Sequence, residues 1–392
     1  MTDSSVIPPG ATAKYEVVAR RYRPQAFESL VGQDPILRTL RNAIESNRVG
    51  HAYLFTGSRG VGKTSAARIF AKCLNCEQGL SPRPCNACES CIAVSTGDDI
   101  DVLEIDGASN RGIDEIRQLR ANIGVRPSRS RFKIYIIDEV HMLSRDAFNA
   151  LLKTLEEPPP HVKFIFCTTD VEKVPITVLS RCQRFDFAPI RTELIAQQLA
   201  VIAEREGVEA DPDALWLLAR RAEGSLRDSQ SLLEQVLSST SERITESTIH
   251  QLLGTARHQQ VHDLVEALVH RNAGQAIACV DQAIHDGVEV GQLCEQLLTL
   301  LRDVMVAAVD GSSELLLSAR AESLSDLKAW SDRWGLATVL SSLQILEQTL
   351  SRMRMSMHRR ALLEIAIVQI ANLENLAELI QLLAPGRIPA NA

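Results

Sequence analysis

Hydrophobic and polar residues are distributed differently along the two halves of the chain. The first half contains short, nearly continuous apolar runs that end in polar residues, as strands buried in a parallel sheet do. The clearest runs are His51–Phe55, Asp101–Asp106, Lys133–Asp138 and Lys163–Thr169. From Arg191 onward such runs stop, and apolar residues recur at helical spacing. The pattern therefore predicts an α/β domain followed by helical domains.

Segments of helical character separate and follow the apolar runs. Asp34 is the expected N-cap of the first of them, Ser144 caps a later one, and Asp211 with Pro212 opens another. Gly224-Ser225 ends that helix and caps the next. The predicted helices are Pro35–Ser46, Thr64–Lys72, Ile113–Asn122, Ser144–Pro158, Ile195–Glu206, Pro212–Ala222, a helical array beginning at Val261, Leu293–Val309, Leu336–Leu350 and Ala361–Leu383.

Length and charge narrow the protein class. The chain has 392 residues, more than one ordinary core accommodates, so two or three domains are expected. The net charge of −7 argues against a broad basic face for nucleic acid but allows a local one. No apolar run is long enough to span a bilayer, and residues 1–14 lack the apolar core of a signal peptide. A cytoplasmic location is therefore expected.

A glycine-rich loop supplies the strongest chemical signal. It matches the phosphate-binding pattern G-x-x-x-x-G-K-[ST] and consists of Gly57, Ser58, Arg59, Gly60, Val61, Gly62, Lys63 and Thr64. A predicted strand precedes it and a predicted helix follows, as the motif requires. Backbone N–H groups of such a loop surround phosphate oxygens. Lys63 is expected to reach the β- and γ-phosphates of ATP, and the Thr64 hydroxyl to ligate Mg²⁺.

Two carboxylates end the third apolar run. Asp138 and Glu139 follow Lys133–Ile137, which places them at the carboxyl edge of a parallel sheet, where ligands bind. Asp138 is expected to hold the Mg²⁺, and Glu139 to polarise the attacking water as a general base. The alternative, a strand that merely ends in solvated acids, is weakened by the glycine-rich loop.

Four cysteines cluster after the helix that follows this loop. Cys76, Cys85, Cys88 and Cys91 are spaced C-x8-C-x2-C-x2-C. Four thiolates in a short loop fit tetrahedral Zn²⁺ and leave no open position for water, which predicts a structural site. Four unrelated cysteines are the alternative. Cys73 lies on the preceding helix and is expected to be a buried apolar residue.

Several weaker signals leave alternatives open. Thr168 or Thr169, at the end of the fourth run, is a candidate to sense the γ-phosphate, although threonines are common at strand ends. Arg21–Pro24 is either a basic surface turn or a border of the adenine pocket. Arg227 occupies a helix start where the dipole disfavours a cation, which suggests a nearby anion, although solvent also accommodates it.

The order of these motifs resembles that of the bacterial DNA polymerase III gamma/tau subunits, the ATPases of the replicative clamp loader. The glycine-rich loop, the four cysteines and the segments Asp138–His141, Ser180–Cys182 and Gly224–Arg227 occur in that order. Asn149–Pro159 also resembles the signature helix of that family. The resemblance is strong over residues 15–255 and weak beyond them.

The resemblance implies an AAA+ fold in three domains. A RecA-like parallel-sheet ATPase domain with a zinc insert at 76–91 spans residues 1–190, a small helical lid spans 191–254, and an all-α collar spans 255–392. It also implies residue roles: Thr169 as first sensor, Arg227 as second sensor, and Arg181 as the finger that enters the neighbouring subunit's ATP site. The last two roles cannot be derived from spacing.

The same resemblance implies partners. They are the delta and delta-prime subunits, further gamma/tau copies, the beta sliding clamp and primed DNA, with no membrane, in a DNA-directed DNA polymerase (nucleotidyltransferase) holoenzyme. The chain ends at Ala392, which we interpret as either a gamma-type product or a shortened tau. Two other hypotheses are a helicase-type branch-migration motor and a non-hydrolysing scaffold like delta prime. The cysteine cluster argues against the first, and an intact Lys63 and Glu139 against the second.

Overall fold

The computed structural model describes residues 16–109, 123–239, 243–312, 315–317 and 324–373. They form two compact units, which divide between Thr245 and Glu246. The predicted helix Ile113–Asn122, the N-terminal tail and the end of the predicted helix Ala361–Leu383 lie outside the described residues.

A five-stranded parallel sheet is the centre of the first unit. Its strands are β1 (Ala52–Thr56), β2 (Val102–Asp106), β3 (Lys133–Asp138), β4 (Val162–Thr168) and β5 (Gln183–Asp186), in the order β2-β3-β4-β1-β5. The four strands predicted from apolar runs are confirmed. No strand was predicted at β5, because this edge strand has a mostly exposed, polar sequence without an apolar run.

The register aligns the carboxyl ends of the strands. Thr56 pairs with Thr168 across β1 and β4, and Asp106 pairs with Asp138 across β2 and β3. In parallel strands these ends share one edge of the sheet, where ligands bind in open α/β folds. The polar residues that end the apolar runs therefore lie together.

Helices cover both faces of the sheet and form a separate group after it. Around the sheet they are Val18–Arg21, Asp34–Glu45, Lys63–Asn75, Glu89–Thr96, Arg145–Glu156 and Ile176–Leu179. The later group, which we call the lid helices, is Thr192–Arg205, Pro212–Arg221 and Leu226–Ser239. Short 3₁₀ turns occupy Phe27–Ser29, Val140–Met142 and Val171–Lys173. The prediction of Asp34 as an N-cap was wrong by one position: Gln33 is the cap, and Asp34 begins the helix.

Alternate strand residues fill two apolar layers. Tyr53, Phe55 and Ile136 pack with the helix Lys63–Asn75 on one face. Leu54 and Phe166 pack with the helix Arg145–Glu156 on the other. Ten of the thirteen residues of Lys63–Asn75 are buried, so the helix that carries the glycine-rich loop is held on nearly all sides. This packing holds the loop rigidly at the edge of the sheet.

The second unit is helical. Its helices are Glu246–Leu253, His258–Val269, Ala273–His285, Val290–Ala308, Leu324–Trp334, Leu336–Met353 and Arg359–Ala371. Leu297, Leu301 and Val304 of the longest helix are fully buried in its core. The predicted helices of this region are confirmed within the described residues, whereas Glu246–Leu253, Ala273–His285 and Leu324–Trp334 were not individually predicted. No helix among the described residues is long and apolar enough to cross a membrane.

Candidate nucleotide site and metal centre

Two glycines of the loop allow close approach of neighbouring segments. Gly57 has a φ of +139°, and a Cβ there would lie 2.3 Å from the carbonyl oxygen of Phe187. Gly60 has a φ of +76°, and its Cβ would lie 1.9 Å from Oγ of Ser225. Only glycine tolerates this combination of backbone conformation and crowding. The loop is therefore shaped by the chain around it as well as by its own sequence.

The Lys63 side chain is buried beneath the loop. Its Nζ donates to the carbonyl oxygens of Gly57 and Ser58, both at 2.8 Å. Only 5% of the residue is exposed, and burial lowers its pKa, while the nearby Asp138 and Glu139 carboxylates oppose that shift. The lysine cation is thus held by neutral oxygens at the position where a phosphate binds in such loops.

A hydrogen bond joins the loop helix to β3. The Thr64 hydroxyl donates to Oδ2 of Asp138 over 2.7 Å, and the other carboxylate oxygen accepts the backbone N–H of Glu139 at 2.9 Å. A hydroxyl and a carboxylate this close supply the hard oxygen ligands that Mg²⁺ prefers. Both residues line the cavity described below, so the donor set fits the predicted metal.

Glu139 has a left-handed backbone conformation, with a φ of +46°. Its Oε2 accepts the backbone N–H of Thr169 at 3.1 Å and the Thr169 hydroxyl at 2.9 Å. Nδ1 of His141 lies 3.3 Å from the same oxygen and 3.0 Å from the Thr168 hydroxyl. Groups that follow β3 and β4 therefore hold the Glu139 carboxylate in one orientation. Of the two candidate threonines, Thr169 contacts Glu139, whereas buried Thr168 contacts His141.

The structure contains a cavity of about 790 Å³ at this edge of the sheet, within the usual size range of small-molecule sites. Glu139 lines it, whereas Thr168, Thr169 and His141 are not among its lining residues. Lys63, Thr64, Asp138, Glu139 and Arg227 all face it, together with the glycine-rich loop. Arg23 and Pro24 also line it, so this part of the basic turn borders the cavity rather than forming surface alone. Its contact with an adenine stays a prediction.

Several lining residues were not found from the sequence. They are the apolar Val17, Leu30, Val31, Ile190 and Leu226, and the polar Arg68, Asp106 and Gln230. Asp106 was detectable in principle, because it ends β2 as Asp138 ends β3. Apart from Leu226, which lies within Gly224–Arg227, the apolar residues belong to no motif, and all of them come from four separate segments, so only the fold brings them together.

The last lid helix begins against the loop. Ser225 caps this helix by accepting the backbone N–H of Asp228 at 3.2 Å, which confirms the predicted cap. The N–H of Arg227 points to the carbonyl oxygen of Gly60 at 3.4 Å. Arg227 thus stands at a helix start and lines the cavity, the position expected of a cation that meets a bound anion.

Arg181 lies outside this cavity. Its guanidinium donates to Oε1 of Glu156 at 2.6 Å, to the carbonyl oxygen of Thr177 at 2.5 Å and to the Ser180 hydroxyl at 3.2 Å. The side chain is 32% exposed. It therefore points neither into the core nor into the cavity of its own chain.

The four clustered cysteines converge in the structure. Their Sγ atoms all lie within 4.8 Å of one another, with 3.9 Å between Cys85 and Cys91. Tetrahedral Zn²⁺ with Zn–S bonds of about 2.3 Å places its sulfurs about 3.8 Å apart. The set therefore fits zinc. Cys88 and Cys91 belong to the start of the helix Glu89–Thr96, which was not predicted inside the insert.

Backbone groups favour thiolates in this cluster. The N–H groups of Ala87 and Cys88 lower the pKa of the Cys85 thiol to about 6. Further backbone N–H groups reach Sγ of Cys76 at 3.4 Å and of Cys88 at 3.4 Å. Burial raises the pKa of Cys91, and a bound zinc ion would offset this effect because it deprotonates a coordinating thiol.

Cys73 and Cys182 do not join the cluster. Burial raises the pKa of each thiol to about 12. Cys73 is fully buried in the apolar layer around the loop helix, and Cys182 packs against the opposite layer. Cys73 was predicted to be a buried apolar residue, which is confirmed, whereas Cys182 is half-buried.

Three successive parts of the chain match models of DNA polymerase III subunit families. Residues 32–191 match the family described as DNA polymerase III, delta subunit. Residues 194–242 match the DNA polymerase III clamp loader subunit, ATPase lid domain, and residues 244–384 match DNA polymerase III subunits gamma and tau domain III. A DNA polymerase III subunit gamma of Buchnera aphidicola is 39% identical over 301 residues, which cover 77% of this chain and 81% of that protein. The chain belongs to the DNA polymerase III gamma/tau family.

Longer members of the family match as well. DNA polymerase III subunit tau of Escherichia coli is 47% identical over 290 residues, 74% of this chain and 45% of that protein. The Bacillus subtilis tau subunit is 38% identical over 356 residues, 91% of this chain and 63% of that protein. The chain thus spans between about two fifths and two thirds of the tau relatives that it matches. Its parallel sheet, glycine-rich loop and lid helices are those of an AAA+ ATPase.

Two solved structures illustrate the more distant similarities. The Thermotoga maritima RuvB Holliday junction branch migration motor aligns with a TM-score of 0.46 at 16% identity, over 63% of this chain and 79% of that one. The Bacillus subtilis DNA clamp loader delta protein aligns with a TM-score of 0.40 at 11% identity, over 86% of this chain and 100% of that one.

We expect Lys63→Ala to weaken ATP binding roughly 10- to 100-fold, because a bound phosphate would lose a charged hydrogen-bond donor. Titration with a fluorescent ATP analogue measures the dissociation constant. Lys153→Ala removes an exposed lysine from the helix Arg145–Glu156 and serves as the control. Unchanged affinity in Lys63→Ala would show that this lysine does not bind the nucleotide.

Glu139→Gln is expected to bind ATP normally and hydrolyse it about 100-fold more slowly or worse, because the amide cannot accept a proton from water. Single-turnover hydrolysis separates this chemical step from binding. Glu172→Gln, at an exposed position in the same region of the sheet edge, is the control. Near-normal turnover would reject Glu139 as the base.

Purified protein is expected to contain about one zinc per chain, the amount that four thiolates hold. Elemental analysis of wild type and of a Cys85→Ser, Cys88→Ser variant measures it. Removal of zinc by a chelator should lower the thermal stability of the wild type and not that of the variant. Metal-free protein with four reactive thiols in this loop would refute the site.

Proposed function

We propose that this chain is an ATP-hydrolysing motor subunit of a bacterial replicative clamp loader, which opens the sliding clamp and loads it onto primed DNA. Family membership and the cavity support this proposal. The observation that carries it is where the charged side chains lie. Lys63, Glu139 and Arg227 face the chain's own cavity, whereas Arg181 is held outside that cavity by Glu156.

ATP in the cavity would meet the glycine-rich loop with its phosphates. Lys63 is already beneath the loop, where it donates to two carbonyl oxygens, and its ammonium would exchange these for phosphate oxygens of higher charge. Thr64 and Asp138 would hold Mg²⁺, which supplies positive charge to the phosphates when it is bound. Catalysis would then depend on the side chains that orient the attacking water and those that bring positive charge to the phosphates.

Glu139 would accept the proton of the attacking water. Its Oε2 is engaged by Thr169 and His141, while among the described residues no donor is bonded to Oε1. That oxygen is therefore the one we assign to the water. Thr169 contacts the carboxylate directly, so as a first sensor it would link the state of the phosphate to the orientation of the base.

Two arginines, one from the same chain and one from a neighbouring subunit, would act on the phosphates. Arg227 lies in the same cavity, on the lid, where a second sensor would connect bound nucleotide to the position of the lid helices. Arg181 would enter the ATP site of a neighbouring subunit and stabilise transition-state charge only when the two subunits meet. Hydrolysis would then depend on assembly.

The partners of this proposal follow from the family. Delta and delta-prime subunits and further gamma/tau copies would complete the ring, with the sliding clamp and primed DNA as its targets, within the DNA polymerase III holoenzyme. We propose three functional domains: the ATPase domain at 1–190, the lid at 191–254 and the collar at 255–392. The zinc site would be structural.

Arg181→Ala tests the trans arginine. In a ring reconstituted with delta-type partners, clamp and primed DNA, we expect hydrolysis to fall about 1,000-fold at the sites that the arginine completes, with ATP binding by the isolated chain unchanged. Arg184→Ala, which removes a nearby arginine paired with Asp186, is the control. Steady-state ATPase and fluorescence binding supply the two measurements.

The same assay separates the candidate functions. Stimulation of the wild-type ATPase by clamp and primed DNA together, with deposition of the clamp, supports the proposal. Stimulation by duplex or junction DNA alone would instead support a helicase-type motor. Equal ATPase of wild type and Arg181→Ala in the full ring would remove the trans role.

A further inference from the structure

Lys72 is a buried cation without an acidic partner. Only 1% of the residue is exposed, on the last part of the helix that follows the glycine-rich loop. Its Nζ contacts the carbonyl oxygen of Gln25 at 2.9 Å, Oε1 of Gln25 at 2.8 Å, Oδ1 of Asn86 at 2.8 Å and the Ser95 hydroxyl at 3.3 Å. All these acceptors are neutral, and no carboxylate lies within ion-pair distance among the described residues.

A lysine buried among neutral groups is costly unless an anion is near. The nearest candidates are the clustered cysteines. Asn86 lies between Cys85 and Cys88, and the Ser95 hydroxyl is 2.9 Å from the carbonyl oxygen of Cys91. Four thiolates around a divalent ion carry a net charge of about −2. A zinc-loaded cluster would therefore supply the countercharge that Lys72 otherwise lacks.

Gln25, whose Oε1 also accepts from the Ser95 hydroxyl at 2.9 Å, connects Lys72 to the nucleotide cavity. Gln25 accepts from Nζ with its Oε1, and its own Nε2 donates to the carbonyl oxygen of Arg23 at 3.1 Å. Arg23 and Pro24 line the cavity. A continuous series of hydrogen bonds therefore runs from the cysteine loop through Lys72 and Gln25 to the cavity wall.

We propose that Lys72 is a positioning residue that couples the zinc insert to the nucleotide cavity: it balances the charge of the zinc–thiolate cluster and fixes the Arg23–Pro24 wall. The insert then has a role beyond holding its own loop together. This inference rests on the proposed zinc and nucleotide sites, but not on clamp loading. Because binding linkage is reciprocal, zinc would strengthen nucleotide binding and nucleotide would slow zinc loss by the same coupling.

Lys72→Met tests the link in the full chain, because it keeps most of the length of the unbranched side chain and removes the charge. We expect zinc affinity, measured by competition with a coloured chelator, to fall about 10-fold or more. The affinity for a fluorescent ATP analogue should fall about fivefold. Lys163→Met is the matched control, since Lys163 is also buried, donates to the Val49 carbonyl oxygen and lies over the Phe132 ring.

The two variants give clear outcomes. Loss of both affinities in Lys72→Met, with both retained in Lys163→Met, supports the coupling. Wild-type values in Lys72→Met would overturn it, and so would weaker zinc binding with unchanged nucleotide affinity. Equal losses in both lysine variants would show a general effect of a damaged core and would also overturn it.

A measurement on the unmodified protein covers the case in which Lys72→Met does not fold. We expect ATP to slow chelator extraction of zinc about fivefold in the wild type and to have no effect in Lys63→Ala, which controls for zinc binding by ATP itself. A chain that binds zinc and nucleotide independently would overturn the coupling and leave the proposed motor function standing. A chain that binds no zinc would overturn both the coupling and the zinc site.

Discussion

The hydrogen bond between the Thr64 hydroxyl and the Asp138 carboxylate connects the two elements on which the site depends. It joins the start of the loop helix to the end of β3 over 2.7 Å, and the two elements share one apolar layer, in which Ile136 of β3 packs with the loop helix. A phosphate loop without the acidic strand end would bind anions but not a phosphate-bound metal ion. The parallel register places Asp138 at the same edge as the loop, so the chemistry depends on strand order before it depends on any one side chain.

Much of this arrangement is predictable from the sequence, because its signals are local. The glycine-rich loop, the acids after β3 and the four cysteines each occupy one short segment, and backbone geometry brings their side chains together. Four strands are evident for the same reason: a strand buried on both faces must be an apolar run. Helix starts at Ser144 and Ser225 are predictable because one side-chain oxygen caps the exposed N–H groups.

The remaining features depend on contacts between distant segments. β5 pairs with β1 through its backbone, so its polar sequence gave no indication of a strand. The cavity wall combines Val17, Leu30 and Ile190, residues that belong to no local motif. In the sequence, Lys72 looks like any other lysine of a helix. Only the contacts of its ammonium with Gln25 and Asn86 show that it is buried among polar groups. The role proposed for Arg181 comes from family resemblance alone, because a group that acts on a neighbouring subunit would have no partner for that role in its own chain.

The pair formed by Arg181 and Glu156 has a consequence for how a ring of such subunits would operate. Both side chains are substantially exposed, at 32% and 50%, and ion pairs in that setting contribute only about 0–1 kcal/mol. An arginine held this weakly keeps its orientation in the isolated subunit yet exchanges readily for a more highly charged phosphate. The timing of each catalytic event would then follow the approach of two surfaces, with little energy stored in the resting contact.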